Sequence, residues 1–178
     1  MQYRQKEGPV REKLAMLQDV ASICKAAGVQ LFVDDHLDLA LAVGADGVHL
    51  GQEDLPIDVA RAIIERHNGP PHLIGITCTT TEQAQHAQDA GADYIGFGPV
   101  FPTASKTNPA TVKGLRGLAE VCAAVSIPVI AIGGITVERI QSVLELGAHG
   151  VAVLSAVTTA EYPEQEVRQF RRTVDHVS

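Results

Sequence analysis

Short apolar runs recur along the chain, separated by stretches whose apolar positions take helical spacing. The runs Gln2–Gln5, Gln30–Asp34, Gly47–Leu50, Leu73–Cys78, Tyr94–Val100, Pro128–Gly133 and Gly150–Ser155 read as buried parallel strands. In Arg11–Ala27 the residues Leu14, Leu17, Val20, Ala21 and Cys24 share one face, and Gly28 closes that helix as a left-handed cap. A further helix opens with Thr79 and Glu82 at capping-box spacing and stops at Gly91. Another runs from near Thr136 to Leu146, with Gly147 as its stop. Strands and helices alternate throughout, which defines an α/β fold.

One phrase recurs where a helix ends and the next strand begins. Gly44-Ala45-Asp46-Gly47-Val48 returns as Gly91-Ala92-Asp93-Tyr94-Ile95 and as Gly147-Ala148-His149-Gly150-Val151. Repeated joints of one kind imply a repeated βα unit and favour a (β/α)8 TIM barrel over a doubly wound sheet. No G-x-G-x-x-G follows the first strand, so the dinucleotide fingerprint is missing. The runs number seven, not eight, and the first begins almost at residue 1. The expectation is one barrel domain over residues 1–178, lacking its first βα unit at the N-terminus. Such a barrel would have an open seam, which a homo-oligomer could cover.

Composition narrows the function. The 178 residues suit one domain, and 46% are hydrophobic, enough for a sizeable core. The formal charge of -7 argues against nucleic-acid binding, which needs a basic footprint. Cys24, Cys78 and Cys122 show neither a disulfide framework nor a zinc spacing, which points to a reducing, cytoplasmic setting. No apolar run approaches the length of a membrane span, and no signal peptide is visible.

In parallel barrels chemistry gathers at the C-terminal ends of the strands. After the first strand Gln2, Arg4 and Lys6 alternate and point to one side. They are either cations awaiting an anion such as diphosphate, or a solvated terminus. Asp35 and Asp54 stand one βα unit apart. They form either a magnesium pair, completed by phosphate and water, or two helix caps. The loop after the fifth strand carries Thr103, Ser105 and Lys106, which could cover a phosphate; the alternative is an ordinary loop. Gly133-Gly134 ahead of a helix, followed by Leu154-Ser155 one unit later, match the usual phosphate site of such barrels.

Together these stretches resemble the thiamine-phosphate synthase family. The matching segments are Gln2-Tyr3-Arg4-Gln5-Lys6, Asp35 through Gly51-Gln52-Glu53-Asp54, Gly98 through Lys106, Ala131-Ile132-Gly133-Gly134-Ile135 and Val153-Leu154-Ser155. The resemblance implies a transferase that condenses hydroxymethylpyrimidine diphosphate with thiazole phosphate and releases diphosphate. It implies that Gln2, Tyr3, Arg4, Gln5, Lys6, Asp34, Thr77 and Lys106 meet the pyrimidine substrate, with Arg4, Lys6 and Lys106 stabilising the leaving diphosphate. Asp35 and Asp54 would bind Mg²⁺. Thr103, Ala104, Ser105, Gly134, Leu154 and Ser155 would hold the thiazole phosphate. Thr77 stands where the family usually has Ser and keeps the hydroxyl. Asp34 departs further, because it replaces an Asn, and an ionised carboxylate cannot donate as an amide does. Two other readings stand beside the synthase: a related thiazole tautomerase, and a catalytically silent phosphate-binding barrel.

Overall fold

The computed structural model describes residues 1–67, 72–103 and 111–177. The fold is α/β, and among the described residues seven strands follow one another in chain order. It divides into two compact units, Met1–Thr77 with Asp89–Asp93, and Cys78–Gln88 with Tyr94–Ser178.

In the first unit the order is β1 (Gln2–Tyr3), α1 (Val10–Ala27), β2 (Phe32–Asp34), α2 (Leu37–Val43), β3 (Gly47–Leu50), α3 (Ile57–Arg66) and β4 (Leu73–Cys78). Neighbouring strands are parallel, with Tyr3 opposite Val33, Val33 opposite Val48, and Val48 opposite Ile74. Val33, Val48 and Ile74 are fully buried, as expected of strands covered on both faces. β1 is shorter than its sequence run and ends at Tyr3, so Arg4, Gln5 and Lys6 lie just beyond it.

The second unit holds α4 (Thr81–Asp89), β5 (Tyr94–Phe97), α5 (Gly114–Ala124), β6 (Val129–Ile132), a 3₁₀ turn (Val137–Arg139), α6 (Ile140–Leu144), β7 (Gly150–Ala152), α7 (Ser155–Thr158) and α8 (Pro163–Val177). β5 pairs parallel with β6, and β6 with β7. The run expected to continue to Val100 stops at Phe97, because Pro99 has no N–H to offer a ladder. The helix expected from Thr136 to Leu146 is divided into a 3₁₀ turn and a short α-helix. Ser155 opens α7 and does not close a strand.

The recurring phrase has a mechanical basis. Its glycines Gly44, Gly91 and Gly147 all take positive φ, and its alanines are buried. The third residue then clamps the preceding strand. Asp46 N–H donates to Leu31 O at 2.9 Å while its carboxylate accepts the Leu31 N–H at 2.8 Å. Asp93 treats Ile74 in the same way, at 2.8 and 2.7 Å. His149 keeps the main-chain half of the clamp, donating to Val129 O at 2.8 Å. The capping box at α4 is displaced by one residue from its expected place. The Thr80 hydroxyl accepts the Gln83 N–H at 3.2 Å, and Gln83 Oε1 reaches back to the Thr79 N–H at 2.7 Å.

Candidate active site

The first unit gathers opposite charges beyond β1, β2 and β3. Arg4 Nε lies 3.0 Å from Asp34 Oδ2, and Lys6 Nζ lies 2.7 Å from Asp35 Oδ2. The Asp34 side chain is only 10% exposed. Its burial, joined by the charges of Asp35 and Asp54, raises its pKa above the ordinary value against the pull of Arg4 and Lys6. Asp35 moves the other way. Burial pushes it up, but the hydrogen bonds with Lys6 and Asp54 and the nearby Lys6 and Arg4 charges outweigh that and hold it below the ordinary value.

Asp35 has φ +65°, the sole positive value at a non-glycine among the described residues. Aspartate tolerates that region better than most residues. The turn is pinned by Asp35 N–H to His49 O and by His36 N–H to Asp34 O, both 2.8 Å. Asp54 Oδ2 accepts the Gly51 N–H at 2.6 Å, which fixes the second carboxylate. Neither Asp35 nor Asp54 caps a helix: α2 starts after His36 and α3 after Pro56, and neither helix has a side-chain cap. Asp54 lies near enough to Asp35 to contribute to its lowered pKa. Among the described residues no group of three or more His, Cys, Asp or Glu could hold a metal. A paired hard-oxygen donor set of this kind fits a divalent cation that keeps waters and takes phosphate oxygens for its other ligands.

The other residues expected here take varied places. Gln2 is exposed. Tyr3 is buried, and its hydroxyl lies 2.7 Å from Gln5 Oε1 and 3.2 Å from Lys13 O, so it orients the Gln5 amide. Thr77 Oγ1 lies 2.8 Å from His49 Nε2, and its carbonyl accepts Gln52 Nε2 at 2.7 Å. His49 and Lys13 were not singled out from sequence. Each sits inside an otherwise apolar run or helix face, where only burial reveals it.

In the second unit Gly134 owes its identity to crowding. At φ +63°, a Cβ there would meet Pro102 O at 2.5 Å and Phe101 Cβ at 2.8 Å. The Phe101 N–H donates to Gly133 O at 3.0 Å, so the segment leading to Thr103 lies along the diglycine. Arg139, also missed from sequence, secures this corner. Its Nη1 donates to Gly134 O at 2.6 Å, and its guanidinium stacks 4.5 Å from the Phe101 ring centroid. Leu154 is half-exposed and its carbonyl accepts the Val157 and Thr158 N–H groups, so Ser155 stands at the first position of α7. Ala104, Ser105 and Lys106 lie outside the described residues.

Parallel strands with polar and charged groups at their ends define the class: a TIM-like α/β protein. The family profile described as thiamine monophosphate synthase matches residues 1–157. A thiamine-phosphate synthase of Salinibacter ruber is 57% identical over 177 residues, covering 99% of this chain and 76% of that protein. The solved thiamine phosphate pyrophosphorylase from Pyrococcus furiosus matches with a TM-score of 0.90 and 41% identity, over 99% of this chain and 82% of that one. The 3-hexulose-6-phosphate synthase from Salmonella typhimurium, with a TM-score of 0.73 and 18% identity over 95% of this chain and 83% of its own, shares the fold alone. The chain therefore belongs to the thiamine monophosphate synthase family.

Proposed function

We propose that this protein condenses hydroxymethylpyrimidine diphosphate with thiazole phosphate, giving thiamine phosphate and diphosphate. The observation that carries the reading is the pairing of Arg4 with Asp34 and of Lys6 with Asp35, beside Asp54. Cations and carboxylates in one cluster suit a diphosphate that arrives with a divalent metal. A phosphate site alone would not need the carboxylates. The fold is then of the (β/α)8 barrel type, with seven parallel strands among the described residues. The free thiols Cys24 and Cys78 accord with a cytoplasmic setting.

Chemistry of this kind needs no protein nucleophile. The diphosphate departs from the pyrimidine methylene with its bonding electrons, a stabilised cation remains, and the thiazole nitrogen captures it. Arg4 and Lys6 bind the diphosphate oxygens and offset the charge that grows as the bond breaks. Lys106, which lies outside the described residues, would serve the same group. A cation 4 Å from a phosphate is worth roughly 4 kcal/mol at an effective dielectric of 20, before desolvation. Asp35 and Asp54 would hold Mg²⁺, which when bound supplies further neutralisation of the leaving group. Thr103, Gly134, Leu154 and Ser155 would hold the thiazole phosphate, a task that Ala104 and Ser105, outside the described residues, would share.

The test is product formation from both phosphorylated substrates, with and without Mg²⁺. Magnesium-dependent thiamine phosphate supports the reading. Turnover unaffected by chelation removes the metal from it. Binding of thiazole phosphate by a folded sample that forms no product would replace the synthase by a silent barrel.

A further inference from the structure

Lys13 is a buried cation that the proposed chemistry does not use. It lies in the opening turns of α1 and is only 4% exposed. A positive charge there opposes the helix dipole, and burying an ammonium is costly unless hydrogen bonds hold it. Packing alone does not call for it, because Leu17 and Cys24 fill the same buried face with apolar groups.

Its contacts give the position a purpose. Lys13 Nζ donates to the main-chain carbonyl of Lys6 at 3.0 Å and lies 3.3 Å from His36 Nε2. An ammonium only donates, so Nε2 must accept and the ring proton sits on Nδ1, 3.8 Å from Asp38 Oδ1. Lys13 O in turn lies 3.2 Å from the Tyr3 hydroxyl. One side chain thus joins the segment after β1 to the residue directly following Asp35. The Lys6 and Asp35 side chains meet at 2.7 Å between the two points it grips.

We infer that Lys13 is a positioning residue, which fixes the Lys6 main chain and the His36 ring and so sets the Lys6–Asp35 pair before substrate arrives. The inference rests on the proposal that Lys6 holds the diphosphate. Lys6 is half-exposed and would otherwise sample many rotamers, so a fixed backbone reduces the ordering cost at binding.

The experiment is a double-mutant cycle of Lys13→Met and Lys6→Ala, read as KM for each substrate and as kcat. Lys13→Met should raise KM for the pyrimidine diphosphate roughly tenfold, about the effect of one charge-assisted hydrogen bond, and leave KM for thiazole phosphate unchanged. In the Lys6→Ala background it should add less than about twofold. A purely structural role would lower the active fraction and leave both KM values alone; that result overturns the inference, as does full additivity. If Lys6→Ala is itself silent, the diphosphate reading fails first and the inference with it. Should Lys13→Met not fold, His36→Leu removes the second contact and must show the same selective rise in KM. Nitrogen chemical shifts of His36 should report the Nδ1–H tautomer in the parent protein; the opposite tautomer overturns the inference.

Discussion

Lys6 and Asp35 already touch, with Nζ 2.7 Å from Oδ2. The cation proposed for the diphosphate is held by the carboxylate proposed for the metal. Lys6 helps to hold the Asp35 carboxyl below its ordinary pKa, and substrate with its metal can replace both halves of the pair without leaving either charge alone. Lys6→Ala should slow turnover on the order of 10²–10³-fold, as removal of an oxyanion donor does. The fold should survive, because a surface ion pair contributes ~1 kcal/mol or less. Steady-state kinetics beside a thermal melt would check both parts.

Asp34 is the second relationship to test, since it occupies Arg4 at 3.0 Å. Asp34→Asn removes a buried charge beside Asp35 and Asp54 and releases Arg4 toward the diphosphate. KM for the pyrimidine substrate should fall by roughly threefold to tenfold, an effect of about 1 kcal/mol. Stability should also become less sensitive to pH. The raised pKa of Asp34 means that its carboxyl favours the fold when protonated, with that stability fully present below the unfolded value of 3.8 and lost as pH rises through the folded value. The asparagine variant should lack this loss in denaturant titrations across the acidic range.

Gly134→Ala should harm the thiazole phosphate side alone. Its Cβ would meet the Pro102 carbonyl at 2.5 Å, and the backbone there is left-handed. Strain and displacement together should cost about 1–3 kcal/mol of stability. KM for thiazole phosphate should rise while KM for the pyrimidine diphosphate stays. Equal changes in both would remove the proposed role of this corner.

His72 predicts an acid limit to stability. It is 2% exposed, and neither ring nitrogen is in hydrogen-bonding geometry with a partner among the described residues, although the Ala45 backbone lies close. Burial holds its pKa below the ordinary 6.5. The unfolded chain therefore takes up the proton first. The stability linked to neutral His72 is fully present above 6.5 and is lost as pH falls through the folded value. In His72→Leu, stability read by denaturant titration should decline less between pH 7 and pH 5 than in the parent protein.

Much of this molecule is legible in its residues. The β3 and β4 runs occupy their expected residues, and the others begin within a few residues of theirs, because an apolar run must be buried whatever surrounds it. Gly28 and Gly44 end α1 and α2 because the chain needs positive φ at those turns. The residues that could carry chemistry were also visible as polar groups just past strand ends. Which of them meet was not visible. Asp34 and Asp35 are adjacent in sequence, yet one pairs with Arg4 and the other with Lys6, and their pKa values move in opposite directions. Lys13 reads as one more charge on a helix until burial and the Lys6 carbonyl give it a task. Hydrophobic period and turn chemistry are local properties, so sequence by itself determined the order of the elements and roughly where each begins. Pairing, burial and pKa depend on distances between segments far apart in the chain, and only the tertiary structure decided those.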